Sequence, residues 1–392
     1  MIHCQYVYGI GHFVRATELA RGLRHAFDVH LVSGGEPIDN FDLPEGITFT
    51  QLPAIFRDEA SGHLVSVDPT LSLEACLAHR TNMLEHLVQT RPPDIVVTEH
   101  FPFGLLFENE VVALLKSVRQ AKPRAMVVSS VRDVIDAAQG GSNDPHICAL
   151  LARWFDLILV HGDARAIQLG ASFPLIEQVT VPHCYTGYVV EFTPPRQART
   201  GLPLLVGSIG GGRVGQELLS ALSAVHHQIG REWAHELLLF RGAFAHDAPK
   251  EELAPTLEVR AFDRLAYRHA LAQAHGVICL GGYNSVAEVL SMALPALVYK
   301  RRFAGANREQ ALRADLFKQS GLIQTIEVED LAPTTLARLM RSHFDRPHMP
   351  PPDIDFAGAS NTCRILLERW HARDADSARV MSQVDSPASV TN

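Results

Sequence analysis

The sequence predicts an α/β protein made of two parallel-sheet domains in tandem, and three observations predict it. Short β-rich apolar runs alternate with helix-periodic stretches along the chain. The pattern restarts after a break rich in proline and polar residues. At 392 residues the chain also exceeds what one core ordinarily organises.

The first run, IHCQYVY (2–8), leads through GIGH into the helical pattern FVRATELARGLRHA. DVHLVSG, DIVVTEH, RAMVVSSVRD and FDLILVHGD follow, each ending in polar or glycine residues. Such strands separated by helices imply βαβ units, and parallel sheets bind ligands beyond the carboxyl ends of their strands. Those ends carry Gly9, Gly11 and His12, then Glu99 and His100, then Asp133, then His161 and Asp163. The stretch VVEFTPPRQARTGLP (189–203) reads as a linker. Beyond it come the strand PLLVGS, the glycine loop IGGG, the helix RVGQELLSALSAVHHQI, the strand ELLLF, a strand around LEVRAF, the helix RLAYRHALAQA and the strand GVICL. The expected boundaries are therefore 1–190 for the first domain, 191–203 for the linker and 204–352 for the second domain. A last helix follows over 353–372, and a polar, disordered tail over 373–392. The apolar stretch FPFGLLFENEVVALL (101–115) is expected to be a core helix.

Composition narrows the function classes. Apolar residues make up 47% and the net charge is −8, with no Lys/Arg-rich block, which argues against a nucleic-acid binder. Cys4, Cys76, Cys148, Cys184, Cys279 and Cys363 are scattered without a C-x-x-C, as reduced thiols of a cytoplasmic protein would be. Met1 runs at once into a strand pattern and no apolar run reaches the length of a membrane span, so neither a leader nor a span is expected. No spacing suits a metal, NDPH (143–146) being only a weak match, and no G-x-S-x-G elbow occurs.

Four segments carry candidate chemistry. In GSIGGGRVG (207–215) a glycine loop joins a strand to a helix, where free N–H groups and the helix dipole favour a phosphate. Residues 210–215 match G-x-G-x-x-G, but the next strand ends in Arg241 rather than an acid, so NAD is not expected and NADP rests on Arg241 alone. In YGIGHFVRATELARGL (8–23), His12 stands at the mouth of a second glycine turn, where a neutral imidazole can take a proton from a hydroxyl. Carboxylates at other strand ends, such as Glu99 or Asp133, are the candidates to orient it. In LGGYNSVAEVLSMALPALVYKRR (280–302), Ser285 and Glu288 have the spacing of a capping box, and Glu288 also suits a ligand at the phosphate-binding end of a helix. In LVYKRRFAGANREQ (297–310), Lys300, Arg301 and Arg302 are placed to face a diphosphate, and Glu309 or Gln310 to bind sugar hydroxyls.

Together the two glycine turns, GGYNSVAE and NREQ resemble the GT-B glycosyltransferases, nearest the MurG-like group (glycosyltransferase family 28), which transfers N-acetylglucosamine from a UDP-sugar in peptidoglycan synthesis. The likeness is most specific over about residues 259 to 313. It implies an α/β GT-B architecture, two Rossmann-like domains facing a central cleft, with the last helix returning to the first domain. In that family the position of Glu288 binds the ribose. Gly281 and Gly282, with Asn284 and Ser285, lie against the phosphates, as do Ser208, Gly210, Gly211, Gly212 and Arg213. Backbone groups near Phe262 hold the base, and Glu309 and Gln310 meet the donor sugar. The acceptor side then comprises Gly9, Gly11, Glu99, His100 and Asp133, with His12 as the base. The first loop reads YGIGH where the group has a fuller GGTGGH form, which sets this chain apart from the peptidoglycan enzyme itself.

The resulting expectation is an inverting, metal-independent glycosyltransferase. It would use a nucleotide-diphosphate sugar, a UDP-sugar being the donor class implied, with Arg213 or Lys300 helping the leaving diphosphate. The acceptor is a small molecule, a glycan or a lipid-linked molecule, and the last would bring peripheral contact with the inner face of a membrane. Three alternatives stand beside it. One is a nucleotide-sugar hydrolase or epimerase of the same fold, since GIGHFVR also resembles a hydrolase of pseudaminic-acid synthesis. The others are an NADP oxidoreductase and a noncatalytic nucleotide-sugar-binding protein.

Overall fold

A computed structural model describes residues 1–7, 9–38, 41–58, 61–135, 143–191, 195–211, 214–229, 232–242, 254–301, 308–345 and 353–384, with side chains through 373. In the first domain the order is β1 (Ile2–Cys4), α1 (Gly11–Leu23), β2 (His30–Ser33), β3 (Thr48–Gln51), β4 (Ile55–Arg57), β5 (Leu64–Ser66), α2 (Leu73–Thr90), β6 (Ile95–Glu99), α3 (Glu108–Ala121), β7 (Met126–Arg132), α4 (Asp144–Trp154), β8 (Leu157–His161) and β9 (His183–Tyr185). The second has β10 (Leu204–Ser208), α5 (Gln216–Ile229), β11 (Glu236–Phe240), β12 (Leu257–Arg260), α6 (Arg264–Gln273), β13 (Gly276–Leu280), α7 (Tyr283–Ser291), β14 (Ala296–Tyr299), α8 (Arg308–Gln319), β15 (Gln324–Ile326) and α9 (Pro333–Phe344). The chain closes with α10 (Gly358–Val384).

Two parallel sheets result, ordered β3-β2-β1-β6-β7-β8-β9 and β12-β11-β10-β13-β14-β15. The central strands are apolar at nearly every position because each sheet is covered on both faces. Successive side chains point to opposite faces, so neighbours in sequence enter different cores. In the first sheet Val96, Val127 and Ile158 join one cluster with α2, α3 and α4, while Val97, Val128 and Leu157 join another with α1 and α10. The second sheet divides Val206, Val277 and Val298 from Leu205, Ile278 and Leu297 in the same manner. The stretch 101–115 is helical only from Glu108, and Val111, Leu114 and Leu115 are its buried face.

In each sheet the strand order reverses once, between β1 and β6 and between β10 and β13. Crevices at the carboxyl ends of such reversal points are where open α/β sheets bind ligands. Gly9 to His12 and Glu99 stand at the first, and Ser208 to Gly211 and Gly281 at the second. The helix α10 returns to the first domain and packs on α1 through Ile365 and Leu366. It runs on to Val384, so the stretch expected as tail from 373 is helical as far as Val384; residues 385–392 lie outside the described residues.

Candidate active site

The two reversal points face each other. Asn284, in the first turn of α7, donates from Nδ2 to the Gly11 carbonyl at 3.1 Å, across the cleft. Gly211 lies so close to Ile10 that a Cβ there would collide with the isoleucine side chain, so only glycine permits this approach.

On the first-domain side, His12 sits in the first turn of α1 and its Nδ1 lies 2.9 Å from Oε1 of Glu99, the last residue of β6. Arg15, one turn along α1, donates to the same carboxylate oxygen, and the Ser130 hydroxyl donates to Oε2 at 2.7 Å. Glu99 is thus a buried carboxylate met by a guanidinium, a hydroxyl and an imidazole. Burial, Arg132, His100 and Arg15 together hold His12 well below the ordinary imidazole value. Glu99 alone would favour the imidazolium, but its charge is already shared with Arg15. The His12 ring is therefore neutral near pH 7, with Nδ1–H donated to Glu99 and Nε2 left as a base. The ring of His100 is centred 5.0 Å away, and burial followed by the Arg132 charge pushes it down to about 4.

On the second-domain side the start of α7 differs from the capping-box expectation. The helix begins at Tyr283 with Gly282 as its N-cap, and no side chain caps it. Gly282 takes an extended conformation and its carbonyl accepts the Val286 N–H at 3.0 Å, so Ser285 falls inside the first turn, three residues past the cap. Ser285 and Glu288 are interior helix residues, and Glu288 caps nothing. Its partly buried carboxyl has no hydrogen-bond or ion-pair partner among the described residues. Burial pushes it up to about 7, with Arg264 acting in the opposite direction. Ser208 accepts the Gly210 N–H at 3.0 Å, which shapes the glycine loop. Gly212 and Arg213 lie outside the described residues, as does Arg302. Phe262 packs against clusters of both domains, 5.8 Å from the Tyr267 ring.

Between these halves runs a set of buried ion pairs. Arg313 of α8 holds Asp133 at 2.7 Å and Glu309 at 2.6 Å, and donates to the Gly281 carbonyl at 3.1 Å. Arg132 meets both oxygens of Glu309 at 2.7 and 2.8 Å. Tyr188 donates to the far oxygen of Asp133 at 3.0 Å. Asp133, expected on the acceptor side, is therefore fully buried and committed to an arginine of the opposite domain. Burial would raise the Glu309 carboxyl, but Arg132 and Arg313 outweigh it and bring it down to about 2. Gln310 turns its backbone carbonyl toward Gly281. Lys300 pairs with Asp315 and Glu327, and Arg301 with Glu217, so these cations are engaged within their own domain.

Sequence reasoning did not single out Arg15 or Arg313, and it placed Ser130, Arg132 and His161 among the polar strand ends without giving them partners. Arg15 stands one helical turn from His12, a spacing that placed it on the same face. Ser130 meets Glu99, Arg132 meets Glu309 and Arg313 meets Asp133 across 31, 177 and 180 positions of chain. In NDPH, Asp144 and His146 belong to α4, and His146 pairs with Glu108. Among the described residues no group of three or more His, Cys, Asp or Glu is arranged to hold a metal ion, and no helix is long and apolar enough to cross a membrane.

No protein-family model matches the chain, and no curated protein sequence does. Solved structures do match it. The calicheamicin glycosyltransferase CalG4 is similar over 98% of this chain and 98% of its own, at 15% identity and a TM-score of 0.59. MurG of Acinetobacter baumannii is similar over 95% of this chain and 99% of its own, at 13% identity and a TM-score of 0.52. The UDP-GlcNAc 2-epimerase of Methanocaldococcus jannaschii, solved with UDP-GlcNAc and UDP, is similar over 94% of this chain and all of its own, at 11% identity and a TM-score of 0.54. Likeness at this level of identity establishes architecture: the chain has the GT-B fold, two Rossmann-like parallel-sheet domains around a central cleft.

Proposed function

We propose that the protein is an inverting, metal-independent glycosyltransferase that takes a sugar from a nucleotide-diphosphate donor, UDP-linked by preference. The observation that carries this reading is the contact of His12 with Glu99, set at one reversal point and opposed across the Asn284–Gly11 contact by the glycine turns of the other. Nε2 of His12 takes the proton of an acceptor hydroxyl as its oxygen attacks the anomeric carbon from the first-domain side, which inverts the configuration. Glu99 stabilises the imidazolium that forms. The leaving diphosphate is met by the uncapped start of α7 and the loop from Ser208 to Gly211, where backbone N–H groups and the helix dipole do the work of a counter-ion. The unpartnered carboxylate of Glu288 accepts hydrogen bonds from the ribose, and Phe262 flanks the base. Glu309 and Gln310 meet the donor sugar, Glu309 from between Arg132 and Arg313. The acceptor meets the first-domain side, at Gly9, Gly11 and His100.

A thermal-shift screen of the pure protein against UDP, GDP, dTDP, ADP and NADPH, repeated on Glu288→Ala, tests the donor half. A ligand of the folded state raises the melting temperature by mass action. A diphosphate shift that the variant abolishes is expected, and an unchanged shift would remove Glu288 from the site. A shift for NADPH alone would favour an oxidoreductase. The likeness to a 2-epimerase favours one second reading, a same-fold enzyme that hydrolyses or epimerises the nucleotide-sugar. Incubation with donor alone separates the two, since rapid stoichiometric release of free sugar or of an epimer needs no acceptor. Donor binding without turnover, indifferent to His12→Ala, would mark a noncatalytic binding protein.

A further inference from the structure

Glu99 is held from behind as well as from the cleft. The Ser130 hydroxyl lies 2.7 Å from Oε2 of Glu99 and 2.9 Å from Nε2 of His161, whose Nδ1 lies 2.9 Å from the Thr186 hydroxyl. Ser130 on β7, His161 at the end of β8 and Thr186 just past β9 are all fully buried. Parallel pairing sets Ser130 beside Glu99 and brings Tyr185 beside Val160, so the chain of contacts crosses four adjacent strands toward their carboxyl ends.

Counting protons leaves two arrangements. Ser130 has a single hydroxyl proton, for Glu99 or for His161. If it goes to Glu99, the Ser130 oxygen must accept from His161, which then carries its proton on Nε2 and accepts from Thr186 at Nδ1. In the alternative, His161 donates from Nδ1 to Thr186, whose hydroxyl turns to the Gly187 carbonyl at 2.9 Å, and Ser130 donates to Nε2. That second arrangement sets an oxygen lone pair 2.7 Å from a buried carboxylate oxygen, whereas the first supplies a charge-assisted hydrogen bond there. Burial, with Arg15 the charge acting on it, keeps His161 neutral in either case.

We propose that Ser130 and His161 are positioning residues for the reaction, links in a one-way donor chain from Thr186 through His161 and Ser130 to Glu99. The chain holds the Glu99 carboxylate in place, and Glu99 in turn holds His12 in the tautomer that leaves Nε2 free. Glu99 then faces His12 and Arg15 from α1 and Ser130 from β7, and His161 faces Ser130 and Thr186. This rests on His12 being the base, but the tautomer itself does not.

The test is the ring-nitrogen NMR spectrum of the full chain carrying 15N-labelled histidine, with the His161 signals assigned by His161→Gln and, independently, by their response to Ser130→Ala. Protonation of His161 on Nε2 from pH 6 to 8 is expected, and protonation on Nδ1 overturns the proposal. With the donor chosen by the thermal-shift screen, Ser130→Ala should lower kcat about 10- to 100-fold, the worth of a hydrogen bond to a charged group, with KM unchanged. Glu99 without that donor attracts the His12 proton more strongly, so the acid limb of the pH–rate profile should move to higher pH. A variant with normal kcat, or with an unmoved profile and lower stability only, assigns Ser130 a structural part and overturns its positioning role. The tautomer is read without substrate, so an Nε2-protonated His161 in a protein that transfers no sugar would sink the proposed function and leave the donor chain standing.

Discussion

Replacing Glu288 by Gln separates what this carboxyl costs the fold from what it does for a ligand. Burial is the main cause that pushes it from 4.5 up to about 7, and Gln reproduces its protonated form in shape. The folded value lies above the unfolded one, so the folded chain holds the proton more tightly, and stability falls as pH rises from about 4.5 to about 7. The interval corresponds to about 3 kcal/mol once both states are ionised. Relative to the wild type, Glu288→Gln should therefore be stabilised by about 1 kcal/mol at pH 5 and about 3 kcal/mol at pH 8, with no further gain above that. Nucleotide binding should move the opposite way. Only the carboxylate accepts from both ribose hydroxyls, and at pH 6 about a tenth of it is ionised, so wild-type affinity should be about tenfold weaker at pH 6 than at pH 8. Urea unfolding of both proteins across this range measures the first effect. Calorimetric titration with a nucleotide-diphosphate sugar, whose phosphates do not titrate there, measures the second. A wild-type affinity that ignores pH, together with a Gln variant that binds as tightly, would refute the argument.

Other outcomes follow from the same geometry. His12→Ala should lower kcat about 10²- to 10⁴-fold, the usual contribution of a positioned base, while the thermal shift with the diphosphate persists; steady-state kinetics beside the melting assay decides it. Arg313→Met leaves Asp133 buried without its cation and should destabilise by about 3 to 5 kcal/mol in urea unfolding, most of which Asp133→Asn in the same chain should restore. Gly211→Val forces the glycine loop away from Ile10, and a displacement on the order of 1 Å at the reacting centre should reduce kcat/KM about 100-fold, measured with both domains shown folded by circular dichroism.

The architecture was legible because the central strands are largely apolar on both faces and run into glycine or polar residues. That pattern pointed to the strand carboxyl ends, and there the structure does bring His12 and Glu99 together opposite the second-domain glycines. What the sequence left open was distance. Glu99 and Asp133 were equal candidates to orient His12; the structure sets Glu99 on the imidazole and Asp133 on Arg313, because strand order decides which strand end a helix start meets. The start of α7 was misplaced because S-x-x-E is a capping box only where backbone geometry puts the serine at the N-cap, and Gly282 took that place. The hairpin of β4 and β5 gave little signal, being two three-residue strands with half-exposed side chains.

The chain passes between the domains twice, and the two passages touch. Tyr188 donates its N–H to the Asp355 carbonyl at 2.7 Å, Gly358 donates to the Tyr188 carbonyl at 3.0 Å, and Val189 bridges Ala357. Gly187 and Gly358 make the approach feasible, since a Cβ on either would meet the other passage at under 3 Å. Two tethers zipped side by side act as an axle: the domains can swing about the tie but resist sliding along it. Any change in the angle between the domains would therefore have to turn about that tie. Cutting the chain before α10 would leave a single tether, and the domains should then lose the fixed relation that sets His12 opposite α7, a change that small-angle scattering of the cut protein would show.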